Sequence, residues 1–327
     1  MRTAPLLAAV SLLLPLAIAL VRCSGREAGD DAQAIVHLVT PPPGAGTPTA
    51  AGPASAQATA TPLVPPELVL SAGRIFQAGV ALASVTGDVT GGAAHFLGRD
   101  YPLTKGTQSV YAFVAASAED APGAHPLTID LVLTNGTKGM LTAEIVVAAT
   151  SWTADSLIFT PEQTARFLDP KAAADEAALL AGIYAGRAKE KLWSGPWRLP
   201  VMAGLSARFG EQRSINGSEP SGHHGGTDFG ANAGTPVVAA NAGRVVMARQ
   251  LELRGDMVVI DHGGGVFSGY AHMSAFAVAV GQEVSGGDLL GYVGSTGLST
   301  AAHLHWEVSV NGVLVDGLRF VDGTNGF

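Results

Sequence analysis

The sequence predicts a mainly β protein. Residues 67–153 read as an N-terminal immunoglobulin-like β-sandwich, 154–197 as a partly helical connector, and 198–327 as a C-terminal antiparallel β-sheet domain. Three observations predict this. Glycine is abundant (42 of 327 residues) and charged residues make up only 14%, a balance that suits strands and turns more than long helices. Short β-prone runs recur throughout, punctuated by Gly, Pro and Asn. Only one stretch, rich in alanine, has strong helix propensity.

The chain has room for two domains. Its net charge of -8 argues against nucleic acid as a partner. The single cysteine rules out an intramolecular disulfide framework. Residues 1–23 resemble an export signal: Arg2, an apolar run from Ala4 to Val21, and the small-x-small triplet Ala17-Ile18-Ala19. The run also approaches the ~20 residues of a spanning helix, so both a cleaved signal peptide and a retained membrane anchor stay open. Cys23 follows Arg22, which fits a lipid-modified cysteine poorly. Residues 24–66 are a Pro/Ala/Thr-rich linker with too little apolar area to fold, expected to hold the folded part away from the membrane.

In the sandwich, Val69–Ala72, Val80–Val85, His95–Leu97, Val110–Val114, Leu127–Leu133 and Leu141–Val147 are strand candidates, and Asn135-Gly136 marks a hairpin turn. His95 and His125 stand isolated and read as surface histidines. In the connector, Asp169-Pro170 supplies a cap and a first-turn proline ahead of an Ala172–Ala185 helix. Trp193 and Trp197, around Gly195-Pro196, either line a groove or pin the connector to the last domain.

In the last domain Val237–Ala240, Arg244–Ala248, Met257–Asp261, Phe267–His272, Leu289–Val293 and Leu304–Val310 read as strands. From His303 the sequence runs His-Leu-His-Trp-Glu-Val-Ser-Val and then Asn311-Gly312. The period of two predicts a half-buried strand ending in a tight turn, with His303 and His305 on one face. Alone, such a pair is two surface histidines. His224-Gly225-Gly226-Thr227-Asp228 changes the weighing: in an extended segment His224 and Asp228 share a face. Two histidines and a carboxylate make three ligands and leave the fourth corner of a tetrahedral metal open for water, the pattern of a catalytic zinc.

These residues resemble the lysostaphin-type (LytM-type) zinc metallopeptidases, which cut peptidoglycan cross-links. The family pattern of His-x-x-x-Asp, Tyr-x-His and His-x-His is matched by His224 to Asp228, Tyr270-Ala271-His272 and His303 to His305. The resemblance covers about the last third of the chain. Ala301-Ala302 departs from a Gly-Pro that is frequent in the family, which affects a turn and no ligand. The resemblance implies a zinc metallopeptidase domain over 198–327, with His224, Asp228 and His305 as Zn2+ ligands. It further implies His303 as general base and His272 as stabiliser of the developing charge. Tyr270 is read either as an oxyanion contact or as core packing. His223 is a decoy beside His224, and His262 reads as structural. Arg208, Arg213 and Asn216, in a polar, Gly-rich loop, read either as contacts to substrate carboxylates or as solvated loop residues.

The expected function is a secreted zinc-dependent endopeptidase that cleaves peptidoglycan stem peptides or cross-bridges, a zinc-activated water attacking the amide. The expected location is the cell envelope, periplasm or wall. The alternative is a non-hydrolytic wall-binding activator of another hydrolase, which the retention of all three ligand positions disfavours. A biotinyl-type carrier, suggested by the turn pattern of 281–291, fails because no lysine follows Lys191.

Overall fold

The computed structural model describes residues 63–323 apart from 168, 187 and 189, together with Arg22–Cys23. Apart from Arg22–Cys23, residues 1–23, read from the sequence as an export signal or anchor, lie outside the described residues, as does nearly all of the linker. Among the described residues, no helix is long and apolar enough to cross a membrane.

The N-terminal domain has two five-stranded layers. One contains β1 (Arg22–Cys23), β2 (Glu67–Leu70), β4 (Val80–Thr86), β7 (Thr104–Lys105) and β8 (Val110–Ala115), in the order β1-β2-β4-β8-β7. The other contains β3 (Arg74–Phe76), β5 (Val89–Phe96), β6 (Arg99–Pro102), β9 (Gly123–Leu133) and β10 (Lys138–Ala148), in the order β3-β10-β9-β5-β6. Alternate residues of both layers, such as Leu68, Ala83 and Val114 against Phe96, Ile129 and Ile145, interleave in one core. Gly136, at φ 82°, closes the β9–β10 hairpin where Asn135-Gly136 signals a turn.

The connector holds more than the one helix that the sequence signals. β11 (Ala154–Leu157) pairs in parallel with β13 (Gln212–Ile215) of the last domain. α1 (Pro161–Phe167) follows, then α2 (Pro170–Ala185), whose Asp169 cap accepts the Lys171 N–H at 2.9 Å. Glu176, Leu180 and Tyr184, four residues apart, are the buried face of α2.

Besides β13, the last domain is built on one ten-stranded sheet whose own pairings are all antiparallel. Its path runs β12 (Gly204–Ala207), β14 (Thr227–Gly230), β21 (Leu304–Val310), β18 (Val266–Phe276), β17 (Asp256–Gly263), β16 (Gly243–Gln250) and β19 (Glu283–Val284). β15 (Pro236–Val238), β20 (Leu289–Val293) and β22 (Val313–Val315) attach beside it, and the short α3 (Leu318–Val321) ends the described chain. Asn311 (φ 49°) and Gly312 (φ 86°) make the expected tight turn between β21 and β22.

The sheet is covered on both faces. Tyr270, Leu304, Trp306 and Val308 point into the main core. On the opposite face Met257, Val259, Phe267 and Ala271 pack under Leu180 and Tyr184 of α2. β21 is therefore buried along its whole length and not half-buried as its alternation predicts. The polar half of the pattern is also inside, because the connector helix lies over it. The main core extends into the sandwich. β8 turns Val110, Ala112 and Val114 inward and Tyr111, Phe113 and Ala115 toward the last domain. Trp193 stacks on Phe113 (6.0 Å, 29°) and meets Trp197 edge-on (5.5 Å). The two tryptophans thus pin connector, sandwich and sheet together.

Candidate metal centre

Strand register builds the site. Asp228 on β14 pairs directly with His305 on β21, and His305 pairs on its other side with Ala271 on β18. These three positions share the sheet face opposite the main core. His224 reaches the same point from the extended stretch before β14, its backbone N–H bonded to Glu211 O at 2.9 Å and its C=O accepting from Gly210. Gly226 passes so close to β21 that a Cβ there would lie 2.5 Å from Trp306 O and 2.7 Å from the His305 ring. The glycine is needed for space, because its φ is not left-handed.

Three donor atoms converge. His224 Nε2 and His305 Nδ1 are 3.0 Å apart, and Asp228 Oδ1 lies 3.1 Å from the first and 2.8 Å from the second. Metal–ligand bonds of about 2.0–2.1 Å at tetrahedral angles put ligand atoms roughly 3.3 Å apart. The triangle is close to that size, so small outward shifts admit an ion. The other nitrogen of each ring is occupied elsewhere. His224 Nδ1 donates to Arg208 O (3.0 Å), and His305 Nε2 lies 3.4 Å from Glu307 Oε2. Both rings are thereby fixed with the inward nitrogen available to a metal. Among the described residues, His224, Asp228 and His305 form the one group suited to holding a metal ion.

The charges agree with a cation site. Burial opposes ionisation of Asp228, but hydrogen bonds from His224 and His305 hold its carboxyl far below the ordinary carboxylate range. Burial likewise opposes charge on His305, yet Asp228 and Glu307 raise it to about 9. Without metal, the inward nitrogen of His305 carries a proton where the ion would sit. Burial lowers His224.

His272 and His303 complete the ring of histidines, their centroids 4.7 Å apart, with His272 5.9 Å from His305. His303 Nδ1 donates to Ala301 O (2.9 Å), and its Nε2 lies 3.9 Å from Asp228 Oδ2. His272 Nδ1 donates to Thr296 O (2.8 Å). With Nδ1 as the donor, each ring in its neutral form has Nε2 as an acceptor. Burial, then the neighbouring His305 and His303, lowers His272 to about 3.

Of its two readings, Tyr270 takes core packing. Its ring is fully buried in the main core, paired across the sheet with Trp306. Its hydroxyl accepts the Ala240 N–H at 2.8 Å and lies 2.9 Å from Ser268 Oγ. Tyr270 and His272 would share a face only in a regular strand. His272 has φ 60°, and the β17–β18 register slips just there, so its ring swings to the face that carries His305 while Tyr270 stays inside. Tyr270 is core and makes no oxyanion contact.

His223 turns away from the triad toward Trp152 (5.3 Å) and Glu119 (4.0 Å). His262 is fully buried, donating from Nδ1 to Ala242 O (2.7 Å), with burial lowering it to about 4, which fits a structural role. Arg213 is not a solvated loop residue: it donates to Asp228 Oδ2 at 3.2 Å. Glu307, Arg254, Glu176 and Tyr184 behind His305 were not singled out by the sequence. Glu307 alternates onto the face of His303 and His305, which was the available signal.

The centre lies in a cavity of about 490 Å³, walled on one side by Asp155, Leu157 and Phe159 of the connector and on the other by 298–303. A second cavity of about 590 Å³ adjoins it at Gly230, Ala301 and Ala302. Together they form a groove across the histidines.

An antiparallel sheet carrying a His/Asp/His donor set with two further histidines at its rim defines a metallohydrolase-type site. Residues 222–317 match the model of peptidase family M23. The matched segment lies within the last domain and contains all three donor residues. It is similar to a protein named peptidoglycan DD-endopeptidase ShyA from Vibrio cholerae, 38% identical over 115 residues, 35% of this chain and 27% of the relative. It is also similar to lysostaphin from Staphylococcus simulans, 41% identical over 99 residues, 30% of this chain and 19% of the relative. The matches thus span about a fifth to a quarter of the length of these curated relatives. Among solved structures, one titled as a putative peptidase M23 from Pseudomonas aeruginosa is 25% identical, covering 75% of this chain and 94% of that one, with a TM-score of 0.49.

Proposed function

We propose that this protein is an exported zinc endopeptidase that hydrolyses peptide cross-links of peptidoglycan. The observation that carries the reading is the convergence of His224 Nε2, Asp228 Oδ1 and His305 Nδ1, with the rings of His272 and His303 lining the same cavity. The substrate class is supported by relatives whose names specify peptidoglycan or glycyl-glycine endopeptidases. A cavity at the histidines that is continued by a second one past Gly230, Ala301 and Ala302 suits a peptide chain bound in extended form.

Zinc, held by His224, Asp228 and His305, would supply the positive charge that polarises the scissile carbonyl and acidifies water. The chain's own groups handle the proton. His303, its Nδ1–H tied to Ala301 O, takes the proton of the attacking water on Nε2 and becomes an imidazolium. It returns that proton to the amine nitrogen as the C–N bond breaks. His272 has its Nδ1–H tied to Thr296 O (2.8 Å), and burial disfavours its charged form. Its Nε2 therefore accepts a hydrogen bond from the water or a substrate N–H and orients it.

The test is digestion of purified sacculi by the zinc-loaded protein with and without chelator, with mass spectrometry of the released muropeptides. Chelator-sensitive loss of cross-linked dimers is expected, and the new termini name the bond. Intact dimers after incubation with protein shown to carry one zinc would refute hydrolysis.

A further inference from the structure

Beside His305 lies a largely buried cluster of charge, of which Arg254 reaches the wall of the cavity. Glu307 is 1% exposed and Glu176 5%. Arg254 donates from Nε to Glu307 Oε2 (3.0 Å) and from Nη1 to Glu176 Oε1 (2.9 Å). Tyr184 donates its hydroxyl to Glu307 Oε1 (2.7 Å). Glu176 also accepts the backbone N–H groups of Leu253 (2.9 Å) and Arg254 (3.2 Å). Arg254 O in turn accepts the His272 N–H (2.8 Å).

Two of these groups, Glu176 and Tyr184, belong to α2. That helix lies in the connector, outside the segment 222–317 that matches the peptidase family. Burying two carboxylates and a guanidinium is costly unless each is paired. Here every one is paired, and the arrangement leaves one net negative charge beside His305. A carboxylate next to the outward nitrogen of a metal-ligating histidine fixes ring orientation and strengthens the donor. Glu307 Oε2, 3.4 Å from His305 Nε2, has that position. Tyr184 and Arg254 hold Glu307 in place, and Glu176 holds Arg254.

We infer that the connector helix is a working part of the metal centre: through Tyr184 and Glu176 it positions Glu307 and Arg254, and so sets the orientation of His305 and the placement of His272. Glu307, Tyr184 and Glu176 are positioning residues that act through His305 and Arg254, and Arg254 itself also lines the cavity. The inference rests on the reading that His224, Asp228 and His305 bind zinc.

The experiment uses the full chain and zinc alone as probe. Zinc dissociation constants are measured by competition with a chromogenic chelator for the parent protein and for Glu307→Ala, Tyr184→Phe and Glu176→Gln. Thermal unfolding is recorded in parallel, together with the ligand-field spectrum of the cobalt-substituted proteins. Glu307→Ala is expected to weaken zinc roughly 10–100-fold. Tyr184→Phe and Glu176→Gln, which keep shape, should weaken it several-fold and shift the cobalt bands. Leu180→Ala is the contrast: it removes apolar packing of the same helix face, so it should lower the unfolding temperature while leaving the cobalt spectrum as in the parent. Should Glu307→Ala fail to fold, Tyr184→Phe decides. Parental zinc affinity and spectra in Tyr184→Phe and Glu176→Gln would overturn the inference alone. Absence of zinc binding in the parent would overturn the proposed function with it.

Discussion

Gly226→Ala gives the sharpest test of how the site is built. The added Cβ would lie 2.5 Å from Trp306 O, and 2.7 and 2.8 Å from Cε1 and Nε2 of His305. Ordinary contact begins near 3.4 Å, so the strand carrying Asp228 or the one carrying His305 must move by about 0.6–0.9 Å. The nearest atom is backbone in the middle of the sheet, where β14 and β21 are hydrogen-bonded neighbours, so it cannot yield alone. Overpacking of this kind costs about 1–3 kcal/mol, and for a domain of this size lowers Tm by roughly 2–10 °C. A shift approaching 1 Å at a ligand costs on the order of 100-fold in turnover. Gly225→Ala is the control, because its Cβ meets only the Cδ1 end of Leu314 (2.8 Å), a side chain that can rotate away. The assays are thermal unfolding, zinc affinity and muropeptide release. Gly226→Ala should lose on all three and Gly225→Ala should stay near the parent. Parental Tm and zinc affinity in Gly226→Ala would refute the argument that Gly226 serves close approach.

Other expected outcomes follow from the same geometry. His303→Ala should abolish muropeptide release yet keep zinc, whereas His305→Ala and Asp228→Ala should lose both, as read by metal content after dialysis; normal hydrolysis in any of them would sink the assignment. Zinc affinity should rise with pH up to about 9, near tenfold per unit, because the ion must displace the proton that Asp228 and Glu307 hold on His305. The metal-free protein should show the opposite trend. His305 is raised above its ordinary value of 6.5, so the stability it contributes is complete below pH 6.5 and lost as pH rises through about 9. Competition titrations and unfolding curves at pH 6.5 and 9 check both, and a zinc affinity that is flat over this range would contradict the proton count. Trp193→Ala should cost about 3–5 kcal/mol by emptying the junction between Phe113, Trp197 and Phe320. Calorimetry should show the loss while the cobalt spectrum of the metal centre stays parental.

Much of the site was legible from local pattern. The alternation from His303 and the turn at Asn311-Gly312 locate β21, and the two histidines do share a face, because a strand's period of two is a local property. Likewise Asp169-Pro170 and the alanine run locate α2 within a few residues. β14, which carries Asp228, was not predicted as a strand. Its four residues are too few to show a period, and its pairing partner lies 77 residues away in sequence.

By itself the sequence determined the β-rich class, the connector helix and the set of histidines with Asp228, since residue type and short-range spacing encode these. Only the tertiary structure decided which face each side chain meets. The left-handed backbone at His272 separates it from Tyr270, a reversal that no side-chain alternation foretells. The burial of β21 on both faces depends on α2 arriving from more than 100 residues upstream. Glu307 and Arg254 acquire their places beside the metal centre for the same reason: a buried charge is tolerable only where the fold delivers its partners, and here the connector helix delivers them.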